Sequence, residues 1–365
     1  MDYKLTLSDR IKSTPFTSRN ELNGVKAYTV YNKTLLPTIF ESLIDDYHHL
    51  LEYVQLWDVS CQKIIQIKGK DAKHLLSTIS CRDLSNAKPG KCYYTPMTNS
   101  KGGLLNDTLV LCIDENNYWI SISDSDMFMW ITGVLVNLKM KVIVEDKDIF
   151  TLAIQGPNSN ALMREITGNK IDKLGFFNFR SFVIKNKNFF ISRTGFSKQG
   201  GYEIYIENQS NGKKLWDLIV QEGFKFNLKI GTVNLIERVE SGLLSYGNDM
   251  TAKDTPFDCS LGKYCSLDSN YDFIGKKSLL IQRKNGPHKD IYKVLFDAPF
   301  GLENYNIDFY RGEKKIGKLT SSIFSPKFNR YMGFVITKKE NTLDKNNLFV
   351  KINKTFFKAT LETLS

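Results

Sequence analysis

Along 64-IIQIKGKDAKHLLSTI-79 a short apolar run ends at Gly69, and apolar residues then recur at Ala72, Leu75, Leu76 and Ile79. The spacing i, i+3, i+4, i+7 predicts a strand, a turn and an amphipathic helix. Residues 151-TLAIQGPNSNALMREI-166 align with this stretch without a gap, sharing Ile67/Ile154, Gly69/Gly156, Leu75/Leu162 and Ile79/Ile166. Pro157 is expected in the first turn of the second helix. Two copies that do not continue predict a duplicated α+β core, not a solenoid.

Between the copies, 94-YTPMTNSKGGLLNDTLVLCIDENNYWISISDS-125 predicts strands separated by turns at 99–103 and 114–117, the last strand covering 118–123. In 234-NLIERVESGLLSYG-247, Asn234 as N-cap, Glu237 three residues on and Gly247 past the end bracket a helix. After about residue 285, short apolar runs at 292–296, 307–310, 315–319, 331–336 and 348–352 predict a small all-β domain that closes the chain. No low-complexity linker separates these parts, so closely packed domains are expected.

Composition narrows the function classes. A chain of 365 residues with 42% apolar and 24% charged positions suits two or three ordinary globular domains. Its best apolar run, 127-MFMWITGVLVNL-138, is too short for a membrane span. The start MDYKLTLSDRIKSTPF has no apolar h-region, so no secretory signal is expected and the cytoplasm is the default location. Six cysteines without a C-x-x-C pair and only four histidines argue against a zinc site or a disulfide framework. With no H-E-x-x-H and no G-x-S-x-G, metalloprotease and serine-hydrolase chemistry lack their residues. The net charge of +11 is dispersed among 39 acids without a block of like charges. That reads as a solvated lysine-rich surface, with an anionic small ligand as the other reading and no nucleic acid expected.

The chemistry centres on 193-RTGFSKQGGYEIYIE-207. Its glycines lead into a strand, not a helix N-terminus, which disfavours a phosphate loop. Alternation puts Tyr202, Ile204 and Ile206 on one face and Glu203, Tyr205 and Glu207 on the other. The second face is either the solvated side of a hairpin or the rim of a site. Asp107 shares a face with Leu105, Leu109 and Leu111, and a carboxylate in an apolar stripe needs a partner, a raised pKa or a ligand. Aromatics near the turns, among them Tyr31, Trp57, Tyr94, Phe177, Phe196 and Tyr205, are either core or a box for a methylated cation.

Six ordered segments, 54-VQLWDVSC-61, 101-KGGLLNDTLVL-111, 200-GGYEIYIE-207, 238-RVESGLLSYGNDM-250, 272-DFIGKKSL-279 and 317-GKLTSSIFSP-326, carry a resemblance that covers nearly the whole chain from Pro37. Together they resemble the tetrahydrofolate-dependent aminomethyltransferases, the T-protein of the glycine cleavage system and its relatives. Within that group 15-PFTSRNELNGVKAYTVYN-32, 78-TISCRDLS-85 and 197-SKQGGYEIYIEN-208 look most like the dimethylsulfoniopropionate demethylases. The resemblance implies an α+β, three-domain cloverleaf with a duplicated core and a C-terminal β-barrel, folate entering a central hole. Its expected parts are a folate-binding region over 1–284, made of two interleaved domains (roughly 1–50 with 141–284, and 51–140), and a barrel over 285–365.

It also implies roles. Glu203 would hold the pterin's amino and ring N–H groups, Tyr205 would line the same cavity, and Tyr94 would wall it. Asp107 would accept the N5 proton of tetrahydrofolate or fix the pterin. Trp57, Phe177, Phe196 and Tyr205 would face a sulfonium, and Ser121 and Tyr31 would bind the donor's carboxylate. Expected partners are tetrahydrofolate as methyl acceptor, a small-molecule methyl donor and a second copy of the chain in a homodimer, with no metal. Departures are specific. Asn106 and Asp107 stand where T-proteins have two acids, Phe196 where the demethylase branch has Trp, and Asn178 where it has a further aromatic. The rivals are a T-protein working with a lipoyl carrier and a non-catalytic folate-binding relative. The K-G-C-Y-x-G-Q-E segment of the latter is reduced here to 91-KCYYTPM-97.

Overall fold

The computed structural model of the chain describes residues 6–299, 301, 307–342 and 346–364. The first five residues, part of the stretch read above for a leader, lie outside the described residues. Contacts divide the chain into two compact units: Met1–Lys73, Ala87–Tyr93 and Thr108–Asn234 form the first, and His74–Asn86, Tyr94–Asp107 and Leu235–Ser365 the second.

In the first unit a six-stranded sheet runs in the order Phe179–Ile184, Lys187–Ser192, Gly201–Ile206, Phe150–Gln155, Val54–Asp58, Leu228–Gly231. One face, carrying Leu56, Ile154, Ile191 and Ile204, packs on the helices Ser159–Thr167 and Gln209–Gly223 through Leu162, Met163, Leu215, Trp216 and Ile219. Strict alternation sends the intervening residues to the opposite face, where the chemistry lies.

A five-stranded sheet has the order Cys92–Thr98, Leu104–Asp114, Asn117–Ile122, Lys63–Lys68, Ile143–Lys147, and its first two strands run across the division between the units.

The expected duplication is present in the backbone. Lys63–Lys68 leads through Gly69 to the helix Ala72–Ile79, and Phe150–Gln155 leads through Gly156 to the helix Ser159–Thr167, with Pro157 two residues ahead of that helix. Both glycines have positive φ (+138° and +119°), and a Cβ there would sit 2.3 Å from the carbonyl oxygen of Lys141 and of Tyr53 respectively. The chain therefore needs glycine twice, for one reason. The two copies also exchange a strand. Val54–Asp58 precedes the first copy yet pairs with Phe150–Gln155 of the second, while Ile143–Lys147 precedes the second and pairs with Lys63–Lys68 of the first.

In the second unit six strands close into a barrel in the order Lys289–Phe296, Arg330–Lys338, Lys314–Ser325, Asp308–Arg311, Leu348–Ile352, Thr355–Thr363. Val294, Phe296, Phe309, Val335 and Val350 fill it. The sixth strand escaped the sequence reading because only Ala359 and Leu361 of its nine residues are buried. The helix expected up to Gly247 is shorter, Leu235–Ser241. Gly242 adopts φ +72°, and the Leu243 N–H donates back to the Arg238 carbonyl at 2.8 Å, which ends the helix. The next residues form a loop held by Asp249, which accepts from Arg238 Nη1 (2.8 Å), the Ser245 N–H (2.9 Å) and Thr320 Oγ1 (2.7 Å). Among the described residues no helix is long and apolar enough to cross a membrane.

Candidate functional site

Register assembles the site in the first unit. Trp57 lies opposite Ala153, Ala153 opposite Glu203, Glu203 opposite Ser192 and Ser192 opposite Phe179, so one row of side chains crosses five strands on a single face. One step along, Thr151, Tyr205 and Phe190 form the next row. Glu203 and Tyr205 are 6% and 3% exposed, which excludes the solvated-hairpin reading.

The Glu203 carboxylate is held by hydroxyls. Thr194 Oγ1 donates to Oε2, and Tyr205 also hydrogen-bonds it. Ser192 Oγ bonds Thr194 Oγ1 and lies 3.3 Å from Tyr205 Oη. Burial pushes the Glu203 carboxyl above its ordinary pKa, and the two hydroxyl bonds oppose this only in part. Tyr205 is raised well above the ordinary phenol by burial, then by Glu203 and Cys92, and the Cys92 thiol is raised by burial and then by Glu203.

Aromatic rings wall this region. Trp119 meets Phe190 edge-on at 5.3 Å and Tyr205 at 6.2 Å, and Phe179 meets Phe190 at 5.5 Å. Phe177 packs against the same cluster in a left-handed backbone conformation (φ +57°). It is pinned by the Cys92 N–H, which donates to its carbonyl at 2.8 Å, and by its own N–H, which donates to Arg193 O at 3.1 Å. Two buried atoms beside Tyr205, Trp119 Nε1 and Thr151 Oγ1, have no hydrogen-bond partner among the described residues.

The other expected residues fall as follows. Trp57 shares the Glu203 face but is fully buried among Leu50, Val59 and Ala153, and its indole N–H is already donated to Gln55 Oε1 at 2.8 Å. Ser121 is buried opposite Ile64 and Leu109, which belong to or pack on the Trp119–Tyr205 cluster. Tyr31 ends a hairpin strand whose turn docks nearby: Asn32 Nδ2 donates to Ile122 O at 3.4 Å and its N–H to Asp124 Oδ1 at 2.8 Å. Phe196 is half-buried in the loop between Ser192 and Gly201, and Asn178 donates to the carbonyl of the exposed Phe176.

Asp107 and Tyr94 belong to the second unit. Tyr94 Oη donates to Asp107 Oδ2 at 2.9 Å. The face expected to be an apolar stripe is only half-buried at Leu105, Asp107 and Leu109, while Leu104, Asn106, Thr108 and Val110 alternate as the buried set. The core face of this strand thus holds the polar Asn106 and Thr108 together with Leu104 and Val110, not Leu105 and Leu109. Tyr264, edge-on to Tyr94 at 4.9 Å, and Arg82, which donates to Tyr94 O at 3.0 Å with its guanidinium 5.9 Å over the Tyr264 ring, complete this group. Burial and then Asp107 drive the Tyr94 phenol well above its ordinary pKa. Neither Tyr264 nor Arg82 was singled out in the sequence, and nor were Thr194 and Ser192. For Thr194 the signal was present, since it opens the hairpin that returns as the Glu203 strand.

Comparison with known proteins fits this geometry. A family profile described as "GCVT N-terminal domain" matches residues 16–269. The chain is 39% identical over 321 residues to the dimethylsulfoniopropionate demethylase DmdA of Ruegeria pomeroyi, covering 88% of each protein. It is 28% identical over 332 residues to an aminomethyltransferase of Clostridium botulinum, covering 89% of each. Its fold superposes on the glycine cleavage system aminomethyltransferase T from Bartonella henselae with a TM-score of 0.84 at 20% identity over 97% of both chains. The architecture is thus the multidomain α+β fold of the T-protein, closed β-barrel included. The chain belongs to the aminomethyltransferase family of glycine-cleavage T-protein type, whose members carry out tetrahydrofolate-dependent aminomethyl and methyl transfer.

Proposed function

We propose that this chain transfers a methyl group from dimethylsulfoniopropionate, or a related methylated osmolyte, to N5 of tetrahydrofolate. The observation that carries the reading is Glu203, a buried carboxylate partnered by hydroxyls beside an aromatic layer. The residues fit a pterin: its amino and ring N–H groups lie side by side, and a carboxylate accepts both in parallel. When bound, tetrahydrofolate supplies N5 as the nucleophile. Glu203 orients the pterin, and Phe177, Phe196 and Tyr205 offer ring faces to the sulfonium. A sulfonium leaves as a neutral thioether, so no general acid is required. Alignment and exclusion of water then do most of the work, and positioning supplies about 7–11 kcal/mol of barrier lowering in well-oriented systems. The orphaned Trp119 Nε1 and Thr151 Oγ1 mark the layer as one where a bound polar group completes the hydrogen-bond inventory. Asp107, held by Tyr94, is assigned to accept the N5 proton or to fix the pterin.

The identity to the Ruegeria pomeroyi demethylase supports the sulfonium donor. A second reading, aminomethyl transfer with a lipoyl carrier, is favoured by the several aminomethyltransferase relatives at 27–28% identity and by the T-protein fold. Asn106 in place of an acid speaks against it, because that reaction must manage protons on an amine. The deciding experiment incubates the purified protein with tetrahydrofolate and a panel of sulfonium and quaternary ammonium donors, following 5-methyltetrahydrofolate by mass. Product with dimethylsulfoniopropionate, lost in Glu203→Ala, supports the proposal. Product only with an aminomethylated lipoyl carrier replaces it with the second reading, and folate binding without any product assigns a non-catalytic relative.

A further inference from the structure

We infer that Thr194 and Ser192 are positioning residues that hold Glu203 in its charged form, aim it at the pterin, and tie the orientation of Tyr205 to that charge. The inference rests on the tetrahydrofolate reading of Glu203. Its basis is a run of three buried hydroxyls. Thr194 Oγ1 donates to Glu203 Oε2, Ser192 Oγ is bonded to Thr194 Oγ1, and Tyr205 Oη lies 3.3 Å from Ser192 Oγ. Ser192 is the register partner of Glu203, and its burial is complete, while Thr194 is 5% exposed.

Each hydroxyl carries one proton, which fixes the direction of the chain. With Glu203 ionised, Thr194 spends its proton on the carboxylate, Ser192 must donate to Thr194, and Tyr205 is free to donate to Ser192 or to Glu203 itself. All protons then point towards the charge, each bond polarising the next. With Glu203 protonated, its O–H becomes a donor and only a neutral carbonyl oxygen is left to accept, so the pull that aligns the hydroxyls weakens and the hold on Tyr205 loosens. The titratable groups around Glu203 are Tyr205 from its own strand, whose hydrogen bond favours the charged carboxylate, and Cys92 from the neighbouring layer, whose thiol is kept neutral by burial. Burial disfavours the charge, and the hydroxyl chain, Tyr205 included, is the feature that opposes it.

The test compares wild type with Thr194→Val, which deletes the donor at nearly constant shape, and Thr194→Ser, which keeps it. Tetrahydrofolate affinity is measured by calorimetry across pH, and the Glu203 carboxyl is titrated by carbon-13 NMR in the ligand-free protein. In Thr194→Val the acid limb of binding and the carboxyl titration both move upward by about one pH unit, the size expected for a lost hydrogen bond to a charged group, and Thr194→Ser restores them. An equal loss of affinity at every pH, with the carboxyl titration unmoved, overturns the inference and leaves Thr194 a structural residue. If the wild type binds no tetrahydrofolate, the proposed function falls, and the carboxyl titration still decides the role of Thr194. Should Thr194→Val not fold, Ser192→Ala removes the next link and is read by the same two measurements, with the same shift expected and the same null result overturning it.

Discussion

Tyr94 gives its hydroxyl proton to Asp107 at 2.9 Å while its ring meets Tyr264 edge-on at 4.9 Å. The pair fixes one carboxylate oxygen of Asp107 in a half-buried strand. If Asp107 acts on N5 or on the pterin, Tyr94→Phe loosens it without emptying the site. Steady-state methyl transfer is expected to fall about ten- to a hundred-fold in kcat/KM, the equivalent of a hydrogen bond to a charged group. A rate equal to wild type would remove Tyr94 from the mechanism.

Glu203→Gln keeps the shape of the side chain and loses its charge. One of its two terminal groups becomes a donor that meets the pterin N–H groups face to face. Tetrahydrofolate affinity should drop about a hundred-fold by calorimetry, consistent with losing a charge-assisted bidentate contact. An affinity within two-fold of wild type would move the folate site elsewhere.

The same substitution should stabilise the ligand-free protein. The folded-state pKa of Glu203 is raised by burial, so the native state holds its proton more tightly than the unfolded chain. That contribution is fully present below the unfolded value of about 4.3 and is lost as pH rises through the folded value. Wild type and Glu203→Gln therefore melt alike near pH 4, and the variant melts higher at pH 7 to 8. A variant melting lower than wild type at neutral pH contradicts the burial argument.

Arg238 and Asp249 form an ion pair at 2.8 Å with side chains 6% and 0% exposed. Asp249 also anchors Thr320 and Ser321 of the barrel strand Lys314–Ser325. Removing one partner leaves the other charge buried, so Asp249→Ala should cost about 3–5 kcal/mol. The check is urea unfolding followed by a probe in the barrel, and a midpoint equal to wild type refutes it.

What the sequence showed and what it hid divide by range. Gly69 and Gly156, the alternation at Glu203 and Tyr205, and five of six barrel strands are written in local pattern. The exchanged strands are not, because nothing near Val54–Asp58 says that its partner is about a hundred residues away. The helix Leu235–Ser241 stops short of Gly247 for a local reason: Leu243 and Leu244 continue a helical period, and the backbone of Gly242 ends it. At the candidate site, Glu203 was legible from strand alternation and family motif together. Ser192, Arg82 and Tyr264 were not, since their importance lies in which atoms they touch, and Thr194 was marked only by its place at the head of the hairpin loop.

Because the two copies trade strands, neither can complete its sheet from its own residues. During synthesis the strand Lys63–Lys68, with Ile64, Ile65 and Ile67 fully buried in the finished protein, waits with one edge unpaired until the ribosome has delivered Ile143–Lys147. That interval, about eighty residues of translation, is when this chain is most open to pairing with a stranger. A nascent chain halted anywhere within it is a ready client for a chaperone, and separately expressed halves should be recovered as aggregates alone and as a folded pair together.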